Sequence, residues 1–323
     1  MPSNSTTQMT RLISRIVTVA TMVAGVAWAQ TYPVKPLRIV TGSPGSGIDM
    51  TSRLMAPGLT NGLGQQVIVE NRGGILSTEF VVKAAPDAHT LLLDGFTIWL
   101  LPSLRDDVSY DPLRDLAPVS LLVSSPNMIV VHPSLPIRSV KDLIALAKAR
   151  PGALNYASGS IGGAPHLAVE LFKAMAGVNI VHIPYKGTAG GVTDLMSGQV
   201  QLMISTVASL TPQVKSGRLR ALAVTSAQPS ALAPGLPTVA VSGLPGYEST
   251  SVYGMLTTGK SPQASVSRLN QEVVRVLNRP DVKEKMLANG LEVIASSQEE
   301  LAATMKSDMA KWGKLIRDLG IRG

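Results

Sequence analysis

The chain has 323 residues, 45% hydrophobic and only 15% charged, with a formal net charge of +8 and no cysteine. That length suits two ordinary cores and that composition excludes a disordered chain, while zero cysteine excludes thiol catalysis, iron–sulfur clusters and cysteine-based zinc sites. The positive surplus favours an anionic ligand or an acidic docking partner, although a basic solvated surface is the plainer alternative; scattered Lys and Arg with 4% aromatics argue against nucleic acid.

The first segment reads as an export signal. Arg11 and Arg15 form a basic start, Ile16 to Val26 is an apolar run, and Ala27-Trp28-Ala29 offers small residues where a signal peptidase cuts. A membrane anchor is the other reading, but the run is short for a span and no stop-transfer pattern follows. Residues 1–29 are therefore set apart as a signal peptide, which makes the mature chain periplasmic. No Cys follows, so lipid attachment through an N-terminal cysteine is excluded, and a chain without thiols suits an oxidising compartment.

Leu37-Arg38-Ile39-Val40 predicts a buried strand, followed by Gly42-Ser43-Pro44-Gly45-Ser46-Gly47 and a helical pattern from Ile48 to Leu63. Val67 to Val69 is a second strand, 78–85 a helix, and Leu91 to Leu93 a third strand. The same grammar restarts after Ser139: a helix over 140–149, a strand at 154–156, a helix over 165–176 and a strand at 180–182. A helix near 188–197, a strand at 200–204, a helix near 208–216 and a strand at 219–224 follow. Such alternation predicts α/β units with parallel sheets and flanking helices.

Residues 226–248 carry Pro229, Pro234, Pro237 and Pro245 and read as a linker. Beyond it come a strand at 251–256 and helices near 262–277, 280–288 and 298–318. One strand is too few for a third domain, so this tail is expected to return to the first unit. The expected organisation is lobe 1 from 30–125 and 250–323, and lobe 2 from 126–249. The crossings fall near Ser125–Pro126 and Glu248–Ser251, with a hinged cleft between.

An ordered set of short runs now carries a resemblance. Val69-Glu70-Asn71-Arg72, Ala84-Ala85-Pro86-Asp87, Tyr110-Asp111-Pro112 and Asn155-Tyr156-Ala157-Ser158 are similar to the Bug family, the tripartite tricarboxylate transporter substrate-binding proteins. So are Leu171 to Gly177, His182-Ile183-Pro184-Tyr185-Lys186-Gly187, Leu219 to Thr225, Leu236-Pro237-Thr238-Val239 and Lys311-Trp312-Gly313. The resemblance spans essentially all of 31–323. It implies a two-lobed periplasmic-binding-protein (Venus flytrap) fold, type II-like. It also implies a ligand carboxylate held by loop backbone amides and waters, and delivery to integral membrane transporter subunits. The expected protein is a monomer with no cofactor, no metal and no catalytic residue.

Three loops are expected to bind. Pro44-Gly45-Ser46-Gly47-Ile48-Asp49 combines glycines that let amides converge with a helix start that carries about half a positive charge. Met50 breaks a dinucleotide fingerprint and no Gly-Lys-Ser/Thr is present. Taken alone, the loop could equally be a Gly-Pro turn with Asp49 holding the helix amides; the resemblance favours binding, with Asp49 as organiser. The second loop is Ser158 to Pro165, with Ser158, Gly162, Gly163 and Ala164 as ligand contacts and His166 as a packed or capped residue. Related proteins carry Ser or Thr at 163, so here only backbone donors remain. The third is Gly95-Phe96-Thr97-Ile98-Trp99, where Thr97 and Trp99 are taken as contacts and either aromatic could line the pocket or pack in the core. Ser205, where the family often has Asp that could pair with a ligand ammonium, completes the set and weakens an amino-dicarboxylate reading; the loop after Arg72 looks shorter than the family form. A ligand with one carboxylate and a sizeable apolar or aromatic body is the expectation.

Two other functions compete. A periplasmic hydrolase finds no support: the four histidines lack metal-binding spacing and no Gly-x-Ser-x-Gly elbow occurs. A ligand-loaded partner of a membrane sensor would use the same hinge and is not separated by sequence.

Overall fold

The computed structural model describes residues 32–72 and 74–322. The expected signal peptide and part of the loop after Arg72 lie outside the described residues. Strands β1 (Leu37–Thr41) and β3 (Thr90–Gly95) are apolar on both faces because helices cover both. Leu37 and Ile39 enter one core while Val40 enters the opposite one. β2 (Val67–Asn71) pairs with β1 in parallel.

Helix α1 (Gly47–Leu63) is capped at both ends: Ser46 accepts from the Asp49 N–H, and Gly64, at φ 69°, donates to Thr60. Its residues Met55, Leu59 and Leu63 recur every four positions and are buried against the sheet. Helix α2 covers Ile75–Val82 rather than 78–85. Pro86 disfavours helical geometry in the residue before it, so the helix stops early. Helices α3 (Thr97–Leu104) and α4 (Pro112–Asp115) had no counterpart in the sequence reading.

Neither did β4 (Leu116–Val131), the longest strand. It pairs antiparallel with β9 (Thr250–Thr258) from Leu116 to Pro126. From Asn127 onward it pairs with β7 (Leu202–Thr206) and β8 (Arg220–Val224). Pro118 and Pro126 remove two ladder donors, and register shifts at 118–120 and 121–123 bend the strand.

The second half holds α5 (Val140–Ala149), β5 (Asn155–Ser158), α6 (Ala164–Ala176), β6 (Val181–Pro184), α7 (Thr188–Met196) and α8 (Val207–Lys215). Segment 226–248 contains no helix or extended strand. After β9 come α9 (Gln263–Leu277), α10 (Pro280–Ala288), β10 (Glu292–Val293) and α11 (Gln298–Asp318). Leu301, Met305, Trp312 and Ile316 of α11 pack with Trp99, Leu100 and Leu256.

The strand order is β2-β1-β3-β9-β4-β7-β5-β6. The expectation of parallel sheets needs correction. The β1–β2, β1–β3, β5–β6 and β5–β7 pairs are parallel, but β9 is antiparallel to both β3 and β4, and β4 is antiparallel to β7 and β8. Each lobe is therefore a mixed sheet with an apolar core on either face.

Candidate ligand-binding cleft

The parallel strands of each lobe end in loops that start helices, the usual place for ligands in α/β sheets. At the end of β1 the carboxylate of Asp49 organises the first loop. One oxygen accepts from the Gly45 N–H at 2.9 Å; the other accepts from Asn71 Nδ2 at 2.7 Å and Arg53 Nε at 3.0 Å. Asn71 Nδ2 also donates to the Gly42 carbonyl, and Arg53 donates to Asn71 Oδ1. Burial pushes the Asp49 carboxyl up, but the hydrogen bonds from Asn71, Arg53 and Gly45 outweigh it and hold the group below the usual carboxylate range.

Asp49 is thus an internal partner and not a free ligand group. Pro44 and Gly45 are exposed, and Gly45 takes φ 76°, which lets its N–H turn back to Asp49. Beside them the N–H groups of Gly47 and Ile48 have no acceptor among the described residues. Two such donors at a helix start attract an anion. A Cβ on Gly47 would stand 2.7 Å from Tyr253 Oη, so glycine admits the tyrosine of β9 to the mouth of this loop.

The third loop joins the same wall. A Cβ on Gly95 would lie 3.9 Å from both Thr97 Oγ1 and Tyr253 Cδ1. Thr97 is half-buried at the start of α3. Trp99 is a correction: it is 0% exposed, donates Nε1–H to Asp308 Oδ2 at 3.2 Å and packs edge-on to Phe96. Phe96 in turn lies against Trp312 of α11. Both aromatics face the helix layer, so the wall expected from them is absent and with it the argument for an aromatic ligand body. The face of the sheet on which each falls depends on α11, about two hundred residues away, and no local signal reports it.

On the opposite lobe, Ser158 is buried with its Oγ 2.7 Å from His182 Nε2 and 3.2 Å from the Ser160 carbonyl. Gly162, at φ 73°, donates to His166 Nδ1 at 3.0 Å. His166 is therefore a neutral loop anchor, as its packed reading requires. Burial and the neighbouring His182 push it down to about 4, and the two rings stack at 4.3 Å. Gly163 caps α6 with no side chain, and a Cβ there would strike Ser160 Oγ.

Ala164 packs beneath, against the core of the other lobe, and Leu104 of α3 sits 2.9 Å from where a Gly162 Cβ would be. The second lobe's loop therefore abuts the first lobe. Gly159 lies against the Thr188 N–H at the start of α7, a donor that the sequence reading passed over. Ser205 is buried, with its Oγ 3.2 Å from Ser209 Oγ at the start of α8. Around Tyr253 the structure thus gathers Gly47, Gly95 and Thr97. In the other lobe it gathers Ser158, Gly162, Gly163 and Ala164 in one loop, while Ser205 bonds to its own helix. Tyr253 itself was missed, although it lies in the strand expected at 251–256. Among the described residues no group of three His, Asp or Glu could hold a metal ion, and no helix is long and apolar enough to cross a membrane.

Residues 51–321 match the model of the tripartite tricarboxylate transporter family receptor, TctC. The chain belongs to that family. It is 32% identical to the protein BugT of Bordetella pertussis over 323 residues, covering 97% of this chain and 99% of the relative. Among solved structures it resembles R. palustris Rpa4515 with adipate (33% identity, TM-score 0.77) and the periplasmic binding protein BugD (32% identity, TM-score 0.74). Each comparison covers 90% of this chain and 99% of the other. The fold is accordingly the two-lobed, type II-like α/β architecture of TctC and Bug binding proteins, and the family is one of solute receptors.

Proposed function

We propose that this family member is an exported receptor that captures a small organic carboxylate between its lobes and presents it to a tripartite tricarboxylate-type transporter. In this reading residues 30–125 and 250–323 form lobe 1, residues 126–249 form lobe 2, and residues 1–29 are removed on export. One observation carries it: the Gly47 and Ile48 N–H groups stand free at a glycine-rich helix start, and the 158–164 loop of lobe 2 abuts lobe 1 where Gly162 meets Leu104. Such a terminus stabilises a carboxylate without a cationic side chain. Supporting it, a one-third-identical relative is solved with adipate, an aliphatic dicarboxylate. The contacts proposed are the backbone of Pro44 to Gly47, Thr97, and the 158–164 loop.

The test is a thermal-shift and calorimetric screen of residues 30–323 against aliphatic mono-, di- and tricarboxylates. A ligand at 100 times its dissociation constant adds about 2.7 kcal/mol, a shift of a few degrees. Gly47→Val, whose Cβ would stand 2.7 Å from Tyr253 Oη, is expected to lose at least tenfold in affinity while still folding, as a cooperative melt would show. Undiminished affinity in that variant would place the carboxylate elsewhere.

A further inference from the structure

A cleft lined with anion-seeking amides also contains a carboxylate of its own. Asp94 ends β3 one residue before Gly95, the residue in register with Tyr253, whose hydroxyl abuts Gly47. It is partly open to solvent near the C-terminal end of β3, the end that leads into the Gly95–Trp99 loop. The Gly95 N–H donates to one oxygen at 2.7 Å and Ser77 Oγ of α2 to the other at 3.2 Å. No Lys, Arg or His pairs with it among the described residues. The titratable groups that feel its charge are Tyr253 of β9 and Tyr110, and Tyr110 is also near Glu79 of α2. All are acids, so nothing nearby compensates it.

Burial raises this carboxyl to about 6 against the weaker pull of Gly95 and Ser77. At neutral pH the group is largely ionised and still has lone pairs to fill. The charge of Asp94 reaches Tyr253, whose hydroxyl abuts Gly47, so a ligand carboxylate docking at Gly47 and Ile48 would feel it too. Like charges there are tolerated only if one is neutralised or a donor lies between them.

Resting on the receptor reading above, we propose that Asp94 is the specificity-determining residue of the cleft, accepting a hydrogen bond from an ammonium or hydroxyl that the ligand carries beside its carboxylate. The ligand class is then amino- or hydroxy-carboxylates, discriminated from the unsubstituted acids of the same length.

The experiment measures dissociation constants by calorimetry for succinate, malate and aspartate, and for the matching six-carbon series. It uses the wild-type mature chain and Asp94→Asn at pH 7.5 and pH 5.0. The wild type is expected to prefer the amino or hydroxy member over its parent by tenfold or more at pH 7.5. Asp94→Asn, which keeps an acceptor for Gly95, should erase the amino preference and tighten binding of the parent acid. Lowering the pH should tighten the parent acid on the wild type as Asp94 takes up a proton, with no matching gain in the variant. Equal affinities for parent and substituted acids in the wild type, or a ratio unchanged by Asp94→Asn, overturn the role of Asp94 while leaving the receptor intact. Failure of every carboxylate on both proteins overturns the receptor reading itself, and the role of Asp94 falls with it.

Discussion

Two aspartates, Asp49 in the first turn of α1 and Asp94 near the end of β3, have opposite electrostatics. Asp49 gathers three donors from Gly45, Asn71 and Arg53, so its charge is fixed in place and its removal leaves those donors without a common acceptor. Asp49→Ala is expected to lower stability by about 3 kcal/mol in urea titration and to weaken ligand binding as the loop loosens. Asp94 acts in reverse. Its native carboxyl holds its proton up to about pH 6, whereas the unfolded group releases it near 3.8. Between those values the native state binds more protons, so stability falls as pH rises and the full penalty is present above pH 6. That penalty is on the order of 2–3 kcal/mol. Asp94→Asn should flatten the stability profile between pH 4 and pH 7, and an unchanged profile would show that another group titrates there.

At the scale of the element, helix starts do much of the positioning. α11 opens with a reciprocal capping box in which Ser297 accepts from the Glu300 N–H and Glu300 accepts from the Ser297 N–H. Ser297→Ala should cost about 1 kcal/mol in chemical unfolding. It should leave ligand affinity unchanged, since the Ser297 side chain bonds only the first turn of α11. Most helices and the short apolar strands were legible in the sequence, because apolar spacing near 3.6 and compact runs such as Leu91 to Leu93 report local geometry. β4 was not. Its run Leu-Ala-Pro-Val-Ser-Leu-Leu-Val-Ser-Ser-Pro has two prolines and no clean alternation, since two bulges reset its register. The glycine loops were legible as helix starts, whereas the contact of Tyr253 with Gly47 and the inward turn of Trp99 depend on elements distant in sequence.

For the molecule as a whole, β4 and β9 lie at the centre of the strand order, and β4 changes partners between Pro126 and Asn127. In the receptor proposed here, lobe closure would bend these strands, and a ligand would drive it only by binding the closed form more tightly. Small-angle scattering of residues 30–323 is expected to show a smaller radius of gyration on saturation with the carboxylate that binds. An unchanged radius would mean that the cleft is already closed without ligand. The strand order has a further consequence in time. β3 waits for β9 as its neighbour, and the Thr257 hydroxyl bonds the Thr90 carbonyl across 167 positions of chain. A polypeptide emerging N-terminus first has β1 to β3 in hand with one long edge unpaired until nearly everything else has followed. The first part to emerge is thus among the last to be completed, which slows folding and, for the exported receptor proposed here, would keep the chain threadable during its passage across a membrane.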